Sequence, residues 1–209
     1  MKKILISGFE PFNGGDINPS QLLVEKLEAP EGVELIKAIL PVEFNKTTDI
    51  LTDLVNEKNP DIILSIGQAG NVPHISVERV ALNIDNSKAS DGKSVLADAS
   101  GDAPVDRPIF SDGPDAYLST LPVWDMVDAV NAVGIPCRMS YSAGTYVCNH
   151  AMYIGAILAE KHEIISGFVH VPYLPEQLIG QDNFIGKYSM SLDDMQKALN
   201  AIIACLAKA

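Results

Sequence analysis

The chain has 209 residues, of which 47% are hydrophobic and 20% are charged, and its formal net charge at pH 7 is −12. This length and composition predict one ordinary globular domain over residues 1–209. The acidic balance argues against nucleic acid as a partner, because phosphate binding requires clustered Lys and Arg. No apolar run approaches the roughly 20 residues that cross a bilayer, so we expect no membrane partner.

Strand and helix patterns alternate along almost the whole chain. In chain order they predict a strand at 3–7, a helix capped by Asn18, a strand at 33–40, a helix at 45–59, strands at 61–66 and 74–82, an irregular excursion at 84–120 with room for a short hairpin or turn, a helix at 125–133, a strand at 136–140, a helix at 146–160, a strand at 164–171 and a helix at 192–207. This order predicts an α/β domain with a mainly parallel sheet between helices. Ligands of such sheets bind beyond the carboxyl ends of the strands, where we expect the following residues to converge: Phe9, Phe12, Gln68, Cys148 and His170.

The three cysteines of the chain, Cys137, Cys148 and Cys205, show no C-x-x-C pairing, which argues against a zinc cluster. An odd number of cysteines without a signal peptide predicts reduced thiols in the cytoplasm. Cys137 and Cys205 lie in apolar segments and are expected to be small core residues.

Cys148 follows a loop of small residues and precedes an apolar helix, which predicts a cysteine at a helix N-terminus. The unpaired N–H groups and the positive dipole end stabilise a thiolate there, and the thiolate is the nucleophilic form. A buried structural cysteine is the commoner outcome for this residue type, so the residues alone leave both interpretations open.

Histidines supply the candidate bases. His170 ends a predicted strand before a proline, and its alternative role is that of a satisfied core histidine. His150 is a rival base, but two residues after Cys148 in a helix its side chain should point elsewhere. His162 lies at a helix end and is expected to be structural, whereas His74 stays a candidate.

A carboxylate is needed to orient the base. Strand alternation places Glu78 on one face with Ser76 and Val80, and its plainer interpretation is a partly exposed carboxylate paired with an arginine. From the residues alone, three other carboxylates serve equally well: Asp85, Glu176 and Asp182.

The loop at residues 8–15 is rich in glycine but has neither G-x-G-x-x-G spacing nor a P-loop Gly-Lys-Ser/Thr. A phosphate cradle is therefore not expected. Phe9 and Phe12 are typical of the walls of an apolar pocket, and the alternative is that they are core aromatics under a loop.

Six segments in order resemble the pyroglutamyl peptidase I family, also called pyrrolidone-carboxylate peptidases, over essentially the whole chain. They are GFEPF at 8–12, GQAG at 67–70, ERVALN at 78–83, SDGPDAYLSTLP at 111–122, AGTYVCNH at 143–150 and HVPYLPEQ at 170–177.

The resemblance implies a cysteine exopeptidase that removes N-terminal pyroglutamate from peptides through a thioester acyl-enzyme. It implies Cys148 as nucleophile, His170 as general base and acid, and Glu78 as the group that orients His170. It also implies a substrate pocket formed by Phe9, Phe12, Gln68 and Tyr146. The implied fold is a three-layer α/β/α sandwich, phosphorylase/hydrolase-like, with a mainly parallel mixed sheet. The family is usually a cytoplasmic homotetramer without cofactor.

One position departs from the family pattern, because Lys88 stands where many relatives carry arginine. Lysine lacks the planar fork of donors, so a substrate or oxyanion contact at this position is in doubt.

Three other functions are weighed against this expectation. A glutamine amidotransferase commonly carries a His-x-Glu pair, but Pro172 stands two residues after His170. A nucleoside phosphorylase-like protein would need a basic phosphate site. A catalytically silent pyroglutamyl-binding module stays open, because a triad in sequence does not prove a formed oxyanion hole.

Overall fold

The computed structural model describes residues 1–70, 72–88, 93–180 and 187–209. Within these residues the elements follow in the order β1 (Lys2–Phe9), α1 (Pro19–Lys26), β2 (Val33–Leu40), α2 (Phe44–Lys58), β3 (Ile62–Gln68), β4 (Ile75–Glu78), β5 (Val80–Leu82), β6 (Ala116–Leu118), α3 (Val123–Ala132), β7 (Cys137–Ser140), α4 (Val147–His162), β8 (Ile165–Val171) and α5 (Leu192–Leu206), with a short 3-10 helix at Pro175–Gln177. In the described part of the chain, none of the helices combines the length and the apolar character that a membrane crossing requires.

Six strands form the central sheet in the order β2-β1-β3-β8-β4-β7. The strands β2, β1, β3 and β8 are mutually parallel. The strand β4 runs antiparallel to β8, and β7 runs parallel to β4. The sheet is therefore mixed but mainly parallel, as predicted.

Helices cover both faces of this sheet. Alternate residues of β1 point to opposite faces: Ile4 belongs to the core cluster that includes residues of α1, α3 and α5, whereas Leu5 belongs to the cluster that includes residues of α2 and α4. Such strands, buried on both faces, have the near-continuous apolar sequences seen in β1 and β3. The predicted three-layer sandwich is confirmed.

Local sequence explains the helix boundaries. The side chain of Asn18 accepts a hydrogen bond from the Ser20 N–H at 3.0 Å, so it caps α1 as predicted, with Pro19 in the first turn. The helix α2 ends at Lys58, because the next residue, Asn59, has a left-handed φ of 47° and is followed by Pro60. The other predicted helices and strands agree with the structure to within about two residues, apart from residues 74–82.

The single strand predicted at 74–82 is wrong. The chain leaves the central sheet at Arg79, whose N–H donates to the Ser140 carbonyl and whose guanidinium donates to the Ser119 carbonyl. Beyond it, β5 pairs with β6 in a separate two-stranded antiparallel sheet. Val80 therefore does not share a face with Glu78. An apolar run conceals such a break, because alternation continues on both sides of it.

Part of the excursion at 84–120 is anchored over α4 and α2. The buried Asn149 side chain accepts from the Leu82 N–H and donates to the carbonyls of Leu82 and Ile84, at 2.9–3.0 Å. The carboxylate of Asp98 accepts from the Phe44 N–H at 3.0 Å, which ties the excursion to the start of α2. The excursion thereby reaches the end of the sheet where α4 begins.

Candidate active site

Cys148 is the second residue of α4, so it lies at a helix N-terminus as the sequence predicts. The N-cap residue is Tyr146, and no side chain of the described residues caps this helix start. The turn before it depends on Gly144, whose φ of 80° lies in the left-handed region. The first N–H groups of α4 therefore have no capping side-chain oxygen among the described residues.

Gly67 allows the sulfur of Cys148 to approach the sheet. A Cβ atom at Gly67 would lie 2.8 Å from Cys148 Sγ and 2.7 Å from the ring of Phe168. In the ladder between β3 and β8, Gly67 lies directly opposite His170. The absent side chain thus leaves the space in which the sulfur of Cys148 sits next to the His170 strand.

His170 and Glu78 form a buried pair. His170 Nδ1 lies 2.9 Å from Glu78 Oε1, and the two residues are 6% and 2% exposed. Antiparallel pairing of β4 with β8 sets Ser76 opposite His170 and Glu78 opposite Phe168, so all four side chains share one face. Glu78 is therefore the diagonal neighbour of His170, within reach of its ring.

The protonation of His170 depends on both of its neighbours. Burial lowers the pKa of His170, but hydrogen bonding and Coulombic attraction from Cys148 and Glu78 outweigh burial and raise the pKa from 6.5 to about 10. The imidazole therefore keeps its second proton at neutral pH. An imidazolium beside a cysteine stabilises the thiolate, the nucleophilic form.

A narrow, mainly apolar pocket opens beside Cys148. It is lined by Phe9, Phe12, Asn18, Val42, Gln68, Tyr146, Val147 and Cys148. All four residues predicted to bind substrate are in this group. The ring of Tyr146 packs edge-on against Phe44, at 5.5 Å between centroids, and its hydroxyl donates to the Ala97 carbonyl at 3.0 Å. Burial raises the pKa of Tyr146 to about 12, so the hydroxyl stays neutral as a donor.

The alternative orienting carboxylates lie elsewhere. Asp85 Oδ1 is 2.8 Å from Nδ1 of the rival histidine His150, and Asp85 also pairs with Arg107. The other ring nitrogen of His150 lies 2.7 Å from Thr48 Oγ1. Glu176 is exposed on the 3-10 helix, and Asp182 lies outside the described residues. Within the described part of the chain, Glu78 is the predicted carboxylate that contacts His170.

The remaining candidates do not enter the site. His74 is partly exposed at the start of β4, where burial and then Arg138 lower its pKa, and His162 lies at the far end of α4. Cys137 is buried as predicted, and Cys205 is half-buried in α5. Lys88 is exposed, and its backbone pairs with Val95 across the gap in the described chain.

The sequence does not single out four residues of this site as functional. Gly67 lies in the GQAG motif, but a glycine at the end of an apolar strand carries no signal of which side chain approaches it. Asn18 was predicted only as a helix cap, yet it also lines the pocket. Val42 and Val147 also line the pocket, but a valine among apolar residues resembles any core residue.

The amino-acid sequence matches one protein family over nearly its whole length. A family model described as pyroglutamyl peptidase (Peptidase C15) matches residues 2–209. Pyrrolidone-carboxylate peptidase 1 of Caldanaerobacter subterraneus subsp. tengcongensis is 42% identical, over 99% of this chain and 98% of the relative. The Thermosipho africanus pyrrolidone-carboxylate peptidase is also 42% identical, over 99% of this chain and 97% of the relative.

Solved structures are similar over the same length. The pyroglutamyl peptidase I of Bacillus amyloliquefaciens superposes with a TM-score of 0.91 at 35% identity, covering 100% of this chain and 96% of that one. The pyrrolidone carboxyl peptidase of Thermococcus litoralis superposes with a TM-score of 0.90 at 34% identity, covering 98% and 93%.

Proposed function

This chain belongs to the pyroglutamyl peptidase family, and we propose that Cys148, His170 and Glu78 carry out its thiol-dependent removal of N-terminal pyroglutamate from peptides. The observation that carries the proposal is the position of Cys148. It stands at an uncapped helix start, beside a buried histidine–carboxylate pair and at the mouth of an apolar pocket. We also propose that residues 1–209 form one peptidase domain.

The first half of the reaction forms a thioester. The Cys148 thiolate attacks the pyroglutamyl carbonyl carbon, and the carbonyl π-electrons move to the oxygen. The imidazolium of His170 then gives its proton to the leaving amine as the C–N bond breaks. Glu78 holds the ring through Nδ1, so the other ring nitrogen is directed towards the sulfur and the leaving group.

The second half returns the enzyme to its starting state. Neutral His170 takes a proton from water, and the hydroxide attacks the thioester carbon. Collapse of this second oxyanion expels the Cys148 thiolate and releases pyroglutamate. The thiolate–imidazolium pair is then restored, and the bond cleaved overall is the amide after pyroglutamate.

The uncapped start of α4 supports an oxyanion hole. Backbone N–H groups of the first turn, including that of Cys148, have no capping side chain among the described residues, and the helix dipole favours negative charge there. One such donor contributes about 3–4 kcal/mol to the transition state in comparable enzymes.

The pocket matches a neutral lactam. Phe9 and Phe12 offer apolar surfaces to the ring faces, and Gln68 and Asn18 offer amides to its polar edge. Proline lacks the ring carbonyl, so it would leave a polar partner of the pocket unpaired. Selectivity for pyroglutamate over proline follows without any charged group.

A glutamine amidotransferase is disfavoured by the origin of the carboxylate. The carboxylate that contacts His170 comes from β4, a different strand, and not from the same strand as a His-x-Glu pair.

The direct test is hydrolysis of a fluorogenic L-pyroglutamyl amide, beside matched prolyl and glutamyl amides and a Cys148→Ser control. We expect pyroglutamyl-selective release that disappears in the control. A folded, reduced protein that binds the substrate but releases nothing would instead identify a silent binding module. Alkylation of Cys148 separates these cases, because only an active site requires a reactive thiolate.

We also propose a cytoplasmic homotetramer, as the resemblance to the family implies. Light scattering of the purified protein measures the assembly directly, and a monomeric mass would refute the tetramer.

A further inference from the structure

Two backbone groups determine the orientation of the Gln177 side-chain amide. Gln177 ends the 3-10 helix, and its Oε1 accepts from the Leu174 N–H at 2.8 Å. Its Nε2 donates to the Ile17 carbonyl at 3.2 Å. A backbone N–H can only donate and a carbonyl can only accept, so turning the amide over would break both bonds. The amide of Gln177 therefore has one orientation, with Oε1 towards the Leu174 N–H and Nε2 towards the Ile17 carbonyl.

The orientation of Gln177 in turn determines the orientation of the Gln68 side-chain amide. Gln177 Nε2 also donates to Gln68 Oε1, at 2.8 Å. The oxygen of Gln68 is thereby held towards Gln177, and its Nε2 carries the two N–H groups that remain. Among the described residues, none accepts a hydrogen bond from Gln68 Nε2, and Gln68 lines the pocket beside Cys148.

We propose that Gln177 is a positioning residue that makes Gln68 a hydrogen-bond donor to the substrate. Gln68 then recognises the ring carbonyl of the pyroglutamyl group and not its N–H, since a donor pairs only with an acceptor. The ring carbonyl is the group that proline lacks, so Gln177 contributes to selectivity from outside the pocket. This inference rests on the proposed function, because it concerns the same pocket and substrate.

The change Gln177→Glu tests whether the direction of the Gln177–Gln68 hydrogen bond determines which end of the Gln68 amide faces the pocket. The new carboxylate keeps the bond from the Leu174 N–H but cannot donate to Gln68. Gln68 then turns its amide to donate to the carboxylate, and its oxygen faces the substrate carbonyl. We expect KM for a pyroglutamyl amide to rise about 10- to 100-fold, with kcat within about threefold, because an unpaired acceptor weakens binding and leaves the reacting groups in place.

A double-mutant cycle distinguishes positioning from general damage. In a Gln68→Met background there is no amide to orient, so adding Gln177→Glu should change KM by less than about twofold. If Gln177 merely supports the local backbone, Gln177→Glu would raise KM by the same factor with and without Gln68→Met. That result would overturn the proposal. Gln177→Met serves as the neutral variant of similar length, with an expected rise in KM smaller than that of Gln177→Glu.

Glu176→Gln is the matched control, because Glu176 is the exposed neighbour and undergoes the reverse exchange of carboxylate and amide. It should leave KM unchanged. Hydrolysis by the unmodified protein in the same assay separates the two hypotheses. No pyroglutamyl release there would refute the proposed function, whereas normal release with unaltered KM in Gln177→Glu would refute only the role of Gln177.

Discussion

Replacing Glu78 by glutamine removes the negative charge beside His170 while keeping nearly the same volume. The pair is joined at 2.9 Å, and its side chains are only 7% and 3% exposed, so solvent cannot replace the lost partner. Breaking a buried pair of this kind costs about 3–5 kcal/mol. A cost of this size falls on the imidazolium, the form that the reaction requires; at 1.36 kcal/mol for each factor of ten it limits the loss of the reactive thiolate–imidazolium pair, and hence of rate, to about 10²- to 10⁴-fold.

We therefore expect Glu78→Gln to lower kcat by about 10²- to 10⁴-fold and to change KM by less than about threefold, because Glu78 does not line the pocket. The pKa of His170 should also fall, since hydrogen bonding and Coulombic attraction from Glu78 both raise it. Steady-state kinetics with a pyroglutamyl amide measures the first effect, and NMR titration of the imidazole measures the second.

The control is again Glu176→Gln, which makes the same chemical exchange at an exposed site. Glu78→Asp keeps the negative charge but has a side chain shorter by one methylene, so its carboxylate lies further from His170. Its kcat should lie between those of the parent protein and Glu78→Gln. A kcat of Glu78→Gln close to that of the parent, with the His170 titration unmoved, would refute the role of Glu78 as orienting group.

Three further predictions follow from the same geometry. Activity should fall as pH rises through the pKa of His170 at about 10, because this raised pKa keeps the imidazolium protonated until that pH. A pH profile of kcat/KM measures this effect. A fall in activity as pH rises through 6.5 would contradict it. In Cys148→Ala the NMR pKa of His170 should move down, since a raising partner is removed; an unmoved pKa would show that Cys148 does not contact the imidazole. Gly67→Ala should lower kcat by at least about tenfold and destabilise the fold by about 1–3 kcal/mol, because the new Cβ overlaps Cys148 Sγ and the ring of Phe168. Kinetics measures the first effect and urea unfolding the second. Unchanged kcat and stability would mean that the sulfur has room to move.

Several parts of the site follow from sequence because they depend on neighbours in the chain. Asn18 before a proline signals a helix start, and small residues before an apolar run place Cys148 at the start of another. The alternation of strands and helices predicts the layered fold, and parallel strands bring Phe9, Gln68 and His170 to one edge. These inferences need only local periodicity and a general rule of topology.

The partner of His170 could not be identified in this way. Residues alone left Glu78 equal to Asp85, Glu176 and Asp182, and only the resemblance to a family favoured it. The choice depends on an antiparallel pairing of β4 with β8 between residues far apart in sequence. Strand periodicity states which side chains share a face, but it does not say which strand lies alongside.

The sequence by itself therefore determined the class of fold, the helix start that carries Cys148, and the strand end that carries His170. Only the tertiary structure decided which carboxylate meets His170, why Gly67 must lack a side chain, and how Gln177 orients Gln68. The first set depends on backbone preferences and hydrophobic periodicity over a few residues. The second depends on contacts across distant segments, whose geometry is set by the packing of the whole sheet.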